Sequence, residues 1–418
     1  MFTKIDDVKA DRLILRESPT GTAAPIRILF AIAEQYPTHR ADVNVLFGKC
    51  LMQRGIQSDL LTLHAPDPLP PPWPAGRLLT RNSGTGRLGK HLKGILNDLR
   101  LFRLAHSGYD ALQVRDKALG ALIGLAAARM AGIRFFYWMS FPTAEAWTAF
   151  ARERSLSVGL FRWLLAWLRG RLMHGLLYRV VLPRADHVFV QSERMRDSLA
   201  AKGIPVCRMT PVPMGFDGDR AARLKLDGGL KRFERPTFVY LGTLDRNRSP
   251  EVMIDAIDLV KQQVPQAKLL LIGGADEEAD QVWLHTLVRD RGLSEHVEFT
   301  GWLPIAEGWA LASRCLAGLS PVPRGELFDV GSPTKAIEYF GLGLPVIAND
   351  QPDQALVMAA AGGCCVAFTP HAFAERMLDV IARPDVYRQQ AIAGQRWVRA
   401  KRNYGALATT VATIYRRA

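Results

Sequence analysis

Short apolar runs alternate with amphipathic stretches along the chain. Ile26 to Ala33 (IRILFAIA) reads as a buried strand, and a loop follows from Glu34 to Asp42. Apolar residues at 43, 46, 47, 50 and 51 then fall at helical spacing, and Gly55 sits where a helix ends. Ser58 to Leu63 reads as a second strand, which completes a βαβ unit and implies a parallel sheet. Further units are strand 111–114, helix 119–130, strand 135–139 and strand 187–191, then a helix capped by Ser192 that ends near Gly203.

A second alternation follows the Pro211-Val212-Pro213 joint and the charged stretch to Pro236. Its strands are predicted at 238–241, 268–272, 296–300, 316–320 and 345–349, with helices at 250–263 and 333–340. Two such runs predict an α/β protein of two Rossmann-like domains facing each other across a cleft. The expected division is a flexible polar leader at 1–24, domains at 25–212 and 213–400, and a C-terminal helix at 401–418 placed to cross back to the first domain. Ligands of such sheets bind beyond the carboxyl ends of the strands, here in the cleft.

Composition supports this picture. A chain of 418 residues with 48% hydrophobic and 22% charged residues has the balance of a soluble globular protein of more than one domain. The 54 Lys and Arg against 40 Asp and Glu leave a formal charge of +14, which attracts anions. No zinc-finger spacing and no basic stretch interleaved with aromatics is present, so nucleic acid is not expected as a partner. Cys50, Cys207, Cys315, Cys364 and Cys365 form neither a disulfide framework nor a metal set, which points to a reducing cytoplasmic setting. The first residues lack a signal peptide's apolar stretch, and no run is long enough to span a membrane. From Ser155 to Pro183 there is no acidic residue, while Arg162, Arg169, Arg171 and Arg179 lie among Leu160, Phe161, Trp163, Leu164, Leu165, Trp167 and Leu168. That composition suits an anionic membrane surface, and equally a helix packed on its own domain.

The chemistry concentrates in Gly331-Ser332-Pro333-Thr334-Lys335-Ala336-Ile337-Glu338. Ser332 is a good N-cap and Pro333 a good first helical residue. Lys335 would then sit in the first turn, the wrong place for a cation unless an anion binds there. Glu338 follows at i+3 on the same face, where its carboxylate could accept sugar hydroxyls. A solvated helix with a Lys–Glu pair explains the same residues.

This segment resembles the carboxy-terminal signature of the family 4 glycosyltransferases, which have the GT-B fold. Further matches are Phe238 to Asp245 (FVYLGTLD), the strand ending in Gly273-Gly274, and Val297 to Trp302 (VEFTGW). In the first half, Tyr109 to Asp116 and Ala185 to Ser192 are similar to family strands. The resemblance implies a retaining transfer from a nucleoside-diphosphate sugar, without metal or cofactor. It implies that Glu338 holds the donor ribose and that Arg248 and Lys335 face the diphosphate as the catalytic cations. Gly215, Gly273, Gly301, Trp302, Leu303, Ser332, Pro333 and Thr334 are implied on the donor side. Thr243 stands where many members carry an arginine, for which Arg246 is a candidate substitute. On the acceptor side the candidates are His39, Arg40, Arg115, Ser140 and Glu145, with Ser140 standing where many members have a histidine. Val330 occupies the position of the family's first glutamate. The implied acceptor is a saccharide, lipid-linked at the inner leaflet of the plasma membrane, as in bacterial surface-polysaccharide assembly. A nucleotide-sugar epimerase of the same fold and a non-catalytic scaffold are the alternatives.

Overall fold

A computed structural model describes residues 24–84, 86–143, 145–146, 160–224 and 236–417. Nearly all of the expected leader, and residues 155–159 of the basic stretch, lie outside the described residues. Every apolar run read as a strand forms one, in two parallel sheets. The first sheet holds β1 (Ile26–Gln35), β2 (Ile56–His64), β3 (Leu78–Asn82), β4 (Ala111–Arg115), β5 (Arg134–Met139), β6 (His187–Val190) and β7 (Met209–Pro211), in the order β3-β2-β1-β4-β5-β6-β7. The second holds β8 (Thr237–Leu241), β9 (Lys268–Ile272), β10 (Val297–Gly301), β11 (Ala317–Ser320) and β12 (Val346–Ala348), in the order β10-β9-β8-β11-β12. Strand order reverses between β1 and β4 and between β8 and β11, which opens a crevice at the carboxyl ends there. Ile28 to Ala31 have no exposed surface, because helices cover both faces of the sheet.

In the first domain, α1 (Asp42–Cys50) packs on one face of the sheet. The other face is covered by α2 (Arg87–Asp98) with the short helix after it, α3 (Ala118–Ala131), α4 (Leu160–Gly175) with its continuation to Val181, and α5 (Glu193–Ala200). The Ser192 side chain caps α5 as its sequence predicts, accepting from Met195 N at 2.9 Å. The second domain carries α6 (Glu251–Lys261), α7 (Glu278–Asp290), α8 (Ile305–Ala312), α9 (Lys335–Gly341), α10 (Pro352–Ala360), α11 (Pro370–Ala382) and α12 (Pro384–Lys401). The chain leaves the first domain through 212–217 and returns at 402–404. There Phe216 N donates to Arg402 O at 2.7 Å and Tyr404 N to Phe216 O at 3.2 Å. The last helix, α13 (Tyr404–Arg417), packs on the first domain, burying Tyr404, Leu407, Val411 and Tyr415 beside Phe30, Phe47 and Trp138.

Two helices of the first domain turn apolar residues outward. In α2, Leu92, Ile95, Leu96 and Leu99 share one helical stripe and are all exposed, Leu92 at 60%. The polar Asn97 and Asp98 face inward instead, Asn97 donating to Thr62 O at 3.0 Å and Asp98 pairing with Lys117. In α4, Leu164, Leu165, Trp167, Leu168 and Leu172 are exposed, and Arg171 lies over the Trp167 ring at 5.5 Å. Among the described residues no helix is long and apolar enough to cross a membrane.

One helix start differs from its sequence reading. The helix expected from Pro333 begins at Lys335, with Thr334 at the cap position and no side-chain cap bond. Ser332 is not the cap, because its hydroxyl is already used: it donates to Asp353 at 2.6 Å and accepts from Met214 N and Arg402 Nη2 at 3.0 Å each.

Candidate active site

The floor of the second domain's crevice is bare backbone. The ends of β8, β9 and β10 are stitched together by glycines: Gly242 N donates to Ile272 O at 2.8 Å and Gly273 N to Gly301 O at 3.0 Å. A Cβ on Gly273 would lie 2.1 Å from the Gly242 carbonyl oxygen, so only glycine permits this approach.

Tyr339 aims α9 at that floor. Its ring lies flat against Gly318 of β11, where a Cβ would come within 2.2 Å of it. Its hydroxyl accepts from Leu241 N at 2.8 Å, at the last residue of β8. One turn earlier on the helix, Lys335 is thereby laid over Gly242, whose added Cβ would meet the Lys335 Nζ at 3.2 Å. The ammonium also sits 4.7 Å from the centre of the Tyr240 ring. Arg248 projects from the loop after β8 over the Phe328 ring at 5.5 Å. Neither cation pairs with a carboxylate among the described residues. Glu338 is half-buried, and burial pushes its carboxyl up to about 7, against the pull of Lys335. The helix is only seven residues long, so an anion site here rests on the two cations rather than on the helix start.

Comparison with known proteins gives the family. The model "Glycosyl transferases group 1" matches residues 235–383, and "Glycosyl transferase 4-like domain" matches residues 46–215. The chain belongs to the family 4 glycosyltransferases. It is 29% identical over 245 residues to the GDP-mannose-dependent alpha-(1-6)-phosphatidylinositol monomannoside mannosyltransferase of Mycobacterium tuberculosis, covering 55% of this chain and 62% of that protein. The alignment thus spans under two thirds of that relative's length. Two solved structures share the GT-B fold. Sucrose-phosphate synthase from Thermosynechococcus elongatus has a TM-score of 0.67 at 20% identity, over 94% of this chain and 98% of that one. Anabaena HepE in complex with UDP has a TM-score of 0.65 at 16% identity, over 94% and 100%.

Other donor-side candidates divide within the family frame. Trp302, 59% exposed, stands at the end of β10 with its Nε1 2.9 Å from where a Gly274 Cβ would be, and Gly301 turns the backbone there at φ 69°. Leu303 is packed with the second domain's apolar cluster. The Thr243 carbonyl accepts from the Tyr240 hydroxyl at 2.8 Å. Pro333 and Thr334 are half-buried just ahead of Lys335. Arg246 does not stand in for the family arginine: Asp280 holds it at 3.1 Å and it lies over the Trp283 ring at 4.6 Å, turned toward α7. Gly215 serves packing, since a Cβ there would meet Leu407 at 2.9 Å and Arg402 O at 3.1 Å. Ser332 has no bonding capacity left for a ligand, because a hydroxyl offers one donor and two acceptor sites and all are taken.

The acceptor-side candidates are mostly committed elsewhere. Arg115 is 1% exposed and is held by Glu34, by Asp42 at 3.0 Å and by Asp116 at 3.3 Å. Burial works to deprotonate it, and the carboxylates outweigh burial and raise its pKa. Ser140 accepts from Arg115 Nη2 at 2.8 Å and donates to Asp116. Asp116 itself sits at φ 53°, a left-handed conformation that its bonds to the Ser140 backbone and side chain hold in place. Neither Arg115 nor Ser140 is therefore open to an acceptor. Glu145 is likewise engaged, accepting from Tyr178 at 2.6 Å and from Lys202. His39 and Arg40 are exposed in the loop after β1, Arg40 standing 3.5 Å from Glu34. Among the described residues no three His, Cys, Asp or Glu side chains gather as a metal site requires.

Sequence reasoning missed Gly242, Tyr240 and Tyr339, which position Lys335. Gly242 could have been found from the Leu241-Gly242-Thr243 end of β8, where a glycine closes an apolar run at a strand's carboxyl end.

Proposed function

We propose that the protein transfers a sugar, with retention of anomeric configuration, from a nucleoside-diphosphate sugar to a saccharide acceptor. The observation that carries the reading is Lys335, laid over a glycine floor beside Glu338, with a second cation, Arg248, on the loop after β8, neither of them in an ion pair among the described residues. A diphosphate on that floor would meet backbone without side chains to displace. As the bond from the sugar to the β-phosphate breaks, negative charge grows on the leaving oxygen, and two fixed cations lower the barrier to that step. Arg248 suits a diphosphate as a planar fork, and Lys335 as a point charge. Glu338, ionised, would accept ribose hydroxyls. The relative named for GDP-mannose and the HepE complex with UDP support a nucleotide-sugar donor without fixing its base.

The acceptor in this reading is lipid-linked, and the protein works at the inner leaflet in surface-polysaccharide assembly. The outward apolar stripes of α2 and α4 support it, with Lys90, Lys93, Arg100, Arg103, Arg169 and Arg171 in or next to these helices and Asp98 of α2 turned inward. Vesicles of anionic lipid should pellet the protein, less so as salt rises; no pelleting removes the membrane from the proposal.

Calorimetry with GDP-mannose, UDP-glucose and other nucleotide sugars tests the central reading, with Glu338→Ala beside the wild type. Binding that weakens in the variant supports it. A second reading, a non-catalytic relative, is favoured by Val330, whose side chain is buried in the first domain's core where the family's first glutamate would reach the sugar. Donor binding without turnover across acceptors would select it.

A further inference from the structure

Three segments meet behind the donor loop: the outgoing crossing at Met214, the returning crossing at Arg402, and Ser332, three residues before Lys335. Arg402 is 6% exposed. Its guanidinium grips Asp353 of α10 bidentately, at 2.7 and 3.1 Å, and donates to Ser332 Oγ at 3.0 Å and to Met214 O at 3.1 Å. Ser332 Oγ closes the ring, accepting from Met214 N at 3.0 Å and donating to Asp353 at 2.6 Å. Four of this guanidinium's five donors are therefore used, two on Asp353 of α10, one on the loop and one on the crossing.

The loop ahead of Lys335 is held from two further sides. Gln351, which caps α10, donates to Phe328 O at 2.9 Å and Gly331 O at 3.0 Å. From across the cleft, Ser192 Oγ donates to Val330 O at 2.6 Å, and the Val330 side chain enters the first domain's core. One short loop thus touches the first domain, the interdomain crossing and the start of α9.

We propose that Arg402 is a positioning residue that locks the donor loop to the interdomain crossing, so that the placement of Lys335 depends on how the two domains sit. It touches no substrate in this scheme; it acts through Ser332 and Asp353. The proposal rests on the donor reading of Lys335, and its test separates the two.

Arg402→Ala would leave Asp353 buried without its counter-charge and would unfold or loosen the whole joint. The informative variant is the double replacement Arg402→Met with Asp353→Leu, which removes the clamp and leaves no buried charge. Its melting temperature is expected near that of the wild type. Hydrogen exchange on the free protein is then expected to speed at least about tenfold in peptides covering 328–341 and to stay unchanged in β8 and β9. In calorimetry with GDP-mannose and UDP-glucose, whichever the wild type binds should bind the folded double variant about tenfold more weakly. In turnover, the donor KM should rise more than kcat falls. Unchanged exchange in 328–341 overturns the clamp. Faster exchange with unchanged donor affinity overturns the positioning role. If the wild type binds no donor while exchange still rises, the clamp stands and the donor reading of Lys335 falls.

Discussion

The two faces of the cleft handle charge in opposite ways. On the first domain, Arg115 is ringed by Glu34, Asp42, Asp116 and Ser140, so this cation is fully committed to carboxylates inside the protein, which share it among them. On the second, Lys335 ends over the Tyr240 ring and Gly242, and Arg248 over the Phe328 ring, and neither forms an ion pair among the described residues. The difference separates charge committed to internal partners from charge that an anion could reach. A cation already held by carboxylates gains little from a bound anion, whereas one outside any ion pair gains more. In the proposed reading the second domain therefore holds the donor, and on the first domain the exposed groups left for an acceptor include His39.

The largest effect should come from breaking the ion-paired side. Arg115→Met leaves three carboxylates close together at the ends of β1 and β4 and at the start of α1, with no buried cation between them. The expected loss is about 3–5 kcal/mol of stability by urea unfolding. An unchanged midpoint would mean that Arg115 is not the cation holding this face together. The next effect lies on the other face. Lys335→Ala and Arg248→Ala should each leave stability within about 0.5 kcal/mol, because neither ends an internal ion pair. Each should lower turnover about 10²- to 10³-fold. Full activity in both variants would refute the leaving-group role.

The same contrast explains what could be read before the structure. Periodicity found both sheets, since β1, β5 and β8 are short apolar runs rich in β-branched or aromatic residues, and β4 and β9 are short apolar runs that alternate with helical stretches. It missed α2, whose apolar stripe faces outward while Asn97 and Asp98 face in; pattern rules assume the reverse. Lys335 and Arg248 were singled out through the family resemblance, Lys335 within its carboxy-terminal signature and Arg248 where the family has a lysine. The roles of Ser332, Arg246 and Gly215 were not. Each is decided by a partner far away in sequence: Arg402 and Asp353 for Ser332, Asp280 for Arg246, and Leu407 for Gly215. Ser332 before Pro333 is a sound capping signal locally, and a buried network overrides it.

The smallest expected effect, and the sharpest, concerns Glu338. Burial raises its carboxyl from an ordinary 4.5 to about 7 in the free protein. Between those values the folded chain holds a proton that the unfolded chain has released, so this residue makes stability fall as pH rises through that window. Donor binding should run the other way. If only the carboxylate accepts ribose hydroxyls, the competent fraction rises about tenfold from pH 6 to pH 8, and affinity rises with it. Glu338→Gln should flatten both profiles, giving weak, pH-independent binding and a stability no longer lost across that range. Titration calorimetry at pH 6, 7 and 8 reads the first, and urea unfolding at the same values reads the second. A wild type and a variant that share one slope would show that the titration belongs elsewhere. In that case Glu338 would be only a half-buried acid beside Lys335, and the donor face would rest on its two cations alone.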